Sequence, residues 1–148
     1  MTELYREYYK EKMLGIQPKK DMGKKNIRQV LLADDEIAFR QLYSDILHIM
    51  GFEVTGCKDG LEAFKAFSKS PEKYHLILTD YMMPRIDGVK LAKKIREINK
   101  NVPIVLCTGV PDNIDRLLLK DKIINVLLVK PLGLSEFATS INRLLLDR

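Results

Sequence analysis

A chain of 148 residues is the size of one compact domain, and its 46% apolar and 30% charged residues fit a folded globule, not a disordered segment. The net charge of +5 divides unevenly: residues 1–26 carry seven Lys/Arg against four Asp/Glu, and residues 27–148 carry eighteen against sixteen. A near-neutral body with a basic tail argues against a nucleic-acid-binding surface. Two cysteines, Cys57 and Cys107, supply neither a disulfide framework nor a zinc ligand set, and both read as small core residues.

The chain opens with MTELYREYYKEK, which is charged and has no apolar signal core, and no later apolar run reaches the roughly 20 residues that span a bilayer. The expected location is cytoplasmic. Leu4, Tyr5, Tyr8, Tyr9, Met13 and Ile16 form a broken apolar stripe at helical spacing, ended by Pro18, Gly23 and Lys24-Lys25. Residues 1–26 therefore read as an N-terminal extension or linker, partly helical, with a frayed tail and a packed or dimerising helix both open.

From Arg28 onward, short apolar runs alternate with amphipathic segments. VLLA precedes Glu36 to Met50, FEVTGC precedes Asp59 to Ser68, HLILT precedes Gly88 to Ile98, PIVLC precedes Asp112 to Lys120, and IINVLLV precedes Ser135 to Leu146. Five strand and helix pairs in strict alternation predict an α/β fold with a doubly wound five-stranded parallel sheet and five helices. VLLA, HLILT, PIVLC and INVLLV are nearly continuous in apolar residues, as expected for strands buried on both faces, whereas the mixed FEVTGC suits an edge. Asp59-Gly60, Asp87-Gly88 and Gly133-Leu134-Ser135 stand where a strand must turn into a helix.

Such a sheet binds its ligand beyond the carboxyl ends of its strands. Those ends carry Asp34, Asp35 and Glu36, then Asp80, then Thr108, then Lys130. Neighbouring acids repel, and hard oxygen donors in small number suit magnesium, with manganese as an alternative. A carboxylate nucleophile, an ammonium and a hydroxyl around a metal are what phosphoryl transfer requires, since that reaction depends on positioning and on neutralising the equatorial oxygens. Taken singly, each acid could be a helix cap or a solvated strand end, and Thr108 a turn residue before Gly109.

The segments LLADDE, LTDYMMPRIDG, CTG and VKPL, in this order at successive strand ends, resemble the receiver domain of response regulators and hybrid histidine kinases over about residues 27–148. The resemblance implies a flavodoxin-like (CheY-like) sheet of order 2-1-3-4-5. It also implies that Asp80 takes a phosphoryl group from a histidine kinase or phosphotransfer protein, that Asp35 binds the metal directly, and that Asp34 reaches it largely through water. It implies further that the backbone carbonyl of Met82 completes the protein ligands, that Thr108 and Lys130 contact the phosphoryl oxygens, and that Lys130-Pro131 is cis. On this reading the protein is a signalling phosphoacceptor and not an enzyme with turnover, monomeric or a weak phosphorylation-linked dimer.

PIVLCTG with KPL and a last helix ending LLLDR is more like receivers at the end of hybrid sensor kinases than like those of transcription factors. Haloacid-dehalogenase-like phosphatases also use an aspartate nucleophile, but they place an acid two residues later, where this chain has Met82. His48 and His75 read as structural. Many receivers carry an aromatic residue or histidine three positions before the lysine, and this chain has Leu127 there. The expected output face is the fourth helix, fifth strand and fifth helix, with the exposed ones among Leu117, Leu118, Leu119 and Leu127 as apolar contacts.

Overall fold

In the computed structural model, residue 11 and residues 27–146 are described, so the extension expected over residues 1–26 lies almost wholly outside the described part. Five parallel strands form one sheet: β1 (Gln29–Ala33), β2 (Glu53–Cys57), β3 (Leu76–Asp80), β4 (Ile104–Thr108) and β5 (Val126–Val129), in the order β2-β1-β3-β4-β5. The helices are α1 (Ile37–Ile49), α2 (Gly60–Lys69), α3 (Gly88–Ile98), α4 (Leu117–Lys120) and α5 (Leu134–Leu146), with short 3₁₀ turns at Pro71–Lys73 and Pro111–Asn113.

Alternation along the strands divides the core into two layers. Leu31, Ala33, Ile77, Ile104 and Leu106 face α2, α3 and α4 through Ala63, Phe67, Leu91, Ile95 and Leu118. Val30, Leu32, Leu76, Leu78, Val105 and Cys107 face α1 and α5 through Tyr43, Ile46, Leu47, Phe137 and Ile141. Cys57 and Cys107 are free and buried, in keeping with a core role. No helix among the described residues is long and apolar enough to cross a membrane.

Helix starts follow local chemistry. Asp59 accepts a hydrogen bond from the Glu62 N–H (2.8 Å) at the head of α2, and Asp87 accepts one from the Lys90 N–H (2.8 Å) at the head of α3. Both are helix starts, as the Asp-Gly pairs predict. Two expectations need correction. The fourth helix, expected from Asp112 to Lys120, is only four residues long. Pro111 opens a 3₁₀ turn, and Asp115 draws the Leu117 N–H onto its carboxylate (2.9 Å), which delays the helix. β5 is the second edge, as the expected order 2-1-3-4-5 implies, but the two-sided burial expected from its apolar run does not hold, with Val129 45% exposed.

Away from the strand ends, Arg96 on the buried side of α3 ties three segments together. Its guanidinium donates to the carbonyls of Lys122 (3.0 Å) and Val102 (2.7 Å) and to Asn125 Oδ1 (2.9 Å), which also accepts the Ile104 N–H (2.8 Å). This clamp fixes where β4 and β5 begin, and so where they end.

Candidate phosphoacceptor site

Strand register brings the sequence candidates together. Ala33 pairs with Thr79, Asp80 with Cys107, and Thr108 with Val129. The residues just past β1, at the ends of β3 and β4, and just past β5 therefore share one rim. The chain leaves β1 for β2 on one side, while β3 leads to β4 on the other, so the crevice between β1 and β3 is the switch point of the sheet.

One carboxylate oxygen from each of Asp34, Asp35 and Asp80 lies within 4.8 Å of the others. Asp34 and Asp80 are buried, and Asp35 is exposed. Lys130, whose peptide bond to Pro131 is cis, places its Nζ 3.0 Å from Asp80 Oδ1 and 3.5 Å from Asp34 Oδ2. Burial by itself would depress the Lys130 pKa, but the Asp80 hydrogen bond and the charges of Asp34 and Asp80 raise it on balance, so the ammonium stays protonated. Burial pushes the Asp34 carboxyl up, against the Glu36 N–H and Lys130, which favour its charged form.

Thr108 is buried, and its Oγ1 accepts the Val110 N–H (3.0 Å), which leaves the hydroxyl proton for another acceptor. The Lys130 N–H donates to the Thr108 carbonyl (2.8 Å), joining the hydroxyl and ammonium residues through the backbone. An open cavity of about 740 Å³ lies over this rim, lined by Asp35, Asp80, Met82, Thr108 and Lys130 among others. Met82 is 65% exposed and lines this cavity.

The family model for the response regulator receiver domain matches residues 30–142. The chain belongs to the response regulator receiver family. It is 40% identical over 90 residues to a Haemophilus influenzae transcriptional regulatory protein, a CpxR homologue, covering 61% of this chain and 38% of that protein. Sensor protein EvgS of Escherichia coli O157:H7 is 33% identical over 115 residues, covering 78% of this chain and 9% of that protein. Among solved structures, the response regulator protein TrrA from Thermotoga maritima in complex with Mg(2+)-BeF superposes with a TM-score of 0.71 at 29% identity, covering 80% of this chain and 99% of that one. The receiver thus spans less than half the length of these curated relatives, which include both transcriptional regulators and sensor proteins.

The receiver's remaining candidates sort plainly. His75 Nδ1 accepts the Gln29 N–H (2.9 Å) at the opposite end of the sheet, a structural role, and His48 is exposed on α1. Of the four leucines, Leu117 is 54% exposed, Leu118 is buried, and Leu119 and Leu127 are half-buried against the core. Phe39 of α1, which the sequence does not single out, places its ring centroid 4.3 Å from Lys130 Nζ. In the sequence it reads only as one apolar position on an amphipathic helix.

Proposed function

We propose that this receiver accepts a phosphoryl group on Asp80 from the phosphohistidine of a histidine kinase or phosphotransfer protein. An Asp80 carboxylate oxygen attacks phosphorus, a P–O bond forms as the P–N bond breaks, and the departing imidazole nitrogen takes up a proton. The observation that carries this reading is the ion pair of Lys130 with Asp80 at 3.0 Å, within a cluster of three acids at the sheet's switch point. Lys130 holds the Asp80 carboxylate in place before transfer and gives a phosphoryl oxygen its cation afterwards, and the Thr108 hydroxyl donates to a second oxygen.

The donor set fits a hard divalent cation, magnesium or manganese, because every candidate is an oxygen and the clustered carboxylates carry excess negative charge. Asp34, Asp35 and Asp80, with the Met82 carbonyl, would hold it. When bound, it neutralises charge shared between the acids and the phosphoryl oxygens. The presence of Mg(2+)-BeF in the Thermotoga relative supports the same choice.

Residues 1–26 form an extension to a receiver comprising residues 27–148, and the protein works in the cytoplasm as a phosphoacceptor without a small-molecule substrate to turn over. Its output face is α4, β5 and α5, where Leu117 and Val129 are exposed apolar residues. The test is amide NMR with magnesium and beryllofluoride. The parent is expected to shift around Asp80, Thr108 and Lys130 only when magnesium is present, and Asp80→Asn is expected to be silent. A full response from Asp80→Asn would overturn the assignment.

A further inference from the structure

The Lys130 ammonium has a third neighbour besides Asp80 and Asp34, the face of the Phe39 ring. Phe39 does not stand alone. One helical turn further along α1, Tyr43 stacks on it at 6.0 Å with an interplanar angle of 22°, and Tyr43 in turn stacks on Phe137 of α5 at 5.1 Å and 17°. Tyr43 and Phe137 are buried and Phe39 is half-buried. An unbroken aromatic column thus runs from the reacting end of the sheet into the layer between α1 and α5.

A lysine ammonium sits on a flexible four-carbon stem, so holding it in one place takes several partners. Carboxylates alone would hold it, but Asp80 must free an oxygen to attack phosphorus. A ring face attracts the cation without being a nucleophile or a metal ligand, and it gives the cation up without leaving a buried charge. By strand alternation Asp80 shares the face of Leu76 and Leu78, the face covered by α1 and α5, so the column and the acceptor meet on one side of the sheet. On β5, the half-buried Leu127 offers no ring for such a link.

We propose that Phe39 is a positioning residue for Lys130, and that the Phe39–Tyr43–Phe137 column carries the position of the ammonium to α5. This rests on the reading above, in which Asp80 accepts the phosphoryl group and Lys130 follows it. When Lys130 moves onto the phosphoryl oxygens, the cation leaves the Phe39 ring and the column repacks. Residue 127 is then not needed as an aromatic reporter.

The test is NMR of the full chain together with phosphorylation by acetyl phosphate. In the resting parent the Lys130 ε-methylene protons are expected to be shifted upfield by the ring. That shift is expected to vanish in Phe39→Leu and to persist in Phe39→Tyr. Phosphorylation of Phe39→Leu is expected to slow roughly threefold or more, because an ammonium no longer held in one place leaves the Asp80 carboxylate less well positioned for attack, with Phe39→Tyr restoring the rate. Beryllofluoride is expected to move the Phe137 ring resonances in the parent and not in Phe39→Leu. An unshifted Lys130 in the parent would overturn the proposal. So would a Phe39→Leu protein with the parent's rate, or a Phe39→Tyr protein as slow as Phe39→Leu, because the column would then be packing alone. Phosphorylation of Asp80→Asn would instead refute the acceptor assignment, while the resting Lys130 shift would still decide the role of Phe39.

Discussion

Three carboxylates within 4.8 Å of one another are costly without a cation, and Lys130 offsets only part of that repulsion. Asp35→Asn is therefore expected to stabilise the metal-free protein by on the order of 1 kcal/mol while weakening magnesium binding at least tenfold, read by thermal melts with and without magnesium. Asp59 shows the opposite balance. The Glu62 N–H holds its carboxyl below 3.8, outweighing burial, with the Arg85 guanidinium at 3.4 Å adding to the hydrogen bond. A lowered folded pKa means that the folded state binds fewer protons than the unfolded chain, so this stabilisation is present above 3.8 and is lost as pH falls through the folded value. Asp59→Ala is expected to cost about 1 kcal/mol at neutral pH, and Asp59→Asn to keep the cap while flattening the acid limb of a urea-denaturation series. Asp34, Asp35, Asp80, Thr108 and Lys130 were legible in the sequence because each follows an apolar run at a strand end. Phe39 was not, because a phenylalanine on an amphipathic helix looks like core until the fold brings a distant lysine over its ring.

Close approaches between elements set how precisely the acceptor is held. A Cβ at Gly88 would collide with the Asp80 carbonyl oxygen and lie 2.6 Å from Leu106 Cδ1, whereas one at Gly109 would meet nothing within 4 Å. Gly88→Ala is thus expected to destabilise by about 2 kcal/mol or more and Gly109→Ala by less than about 0.5 kcal/mol, compared by denaturant midpoints at equal slope. Arg96→Met is expected to cost about 3 kcal/mol, since it leaves the Lys122 and Val102 carbonyls and Asn125 without their charged donor. The five alternating units were readable from hydrophobic runs and Asp-Gly helix starts. The extent of α4 was not, because Leu117-Leu118-Leu119 is a continuous apolar run with no helical period, and Pro111 and Asp115 divert the backbone before it. The exposure of β5 was hidden in its apolar run, which reads the same on an edge as in the centre, and only the strand order implied by the resemblance pointed to it.

Across the whole molecule, one sheet separates an α1/α5 layer from an α2/α3/α4 layer, and the site lies at the carboxyl end where the two meet. Such an arrangement lets a change of charge at Asp80 bias packing on either side, because Lys130 touches the α1 layer through Phe39 and is joined through Thr108 to the loop that leads to α4. The proposed output face and the proposed role of the aromatic column both rest on a single event at Asp80. The most direct measurement is the intact mass of the protein after incubation with acetyl phosphate. The account predicts the gain of one phosphoryl group by the parent in the presence of magnesium, no gain after chelation, and no gain by Asp80→Asn. The same gain in Asp80→Asn, or an undiminished gain in the parent without any divalent metal, would contradict it.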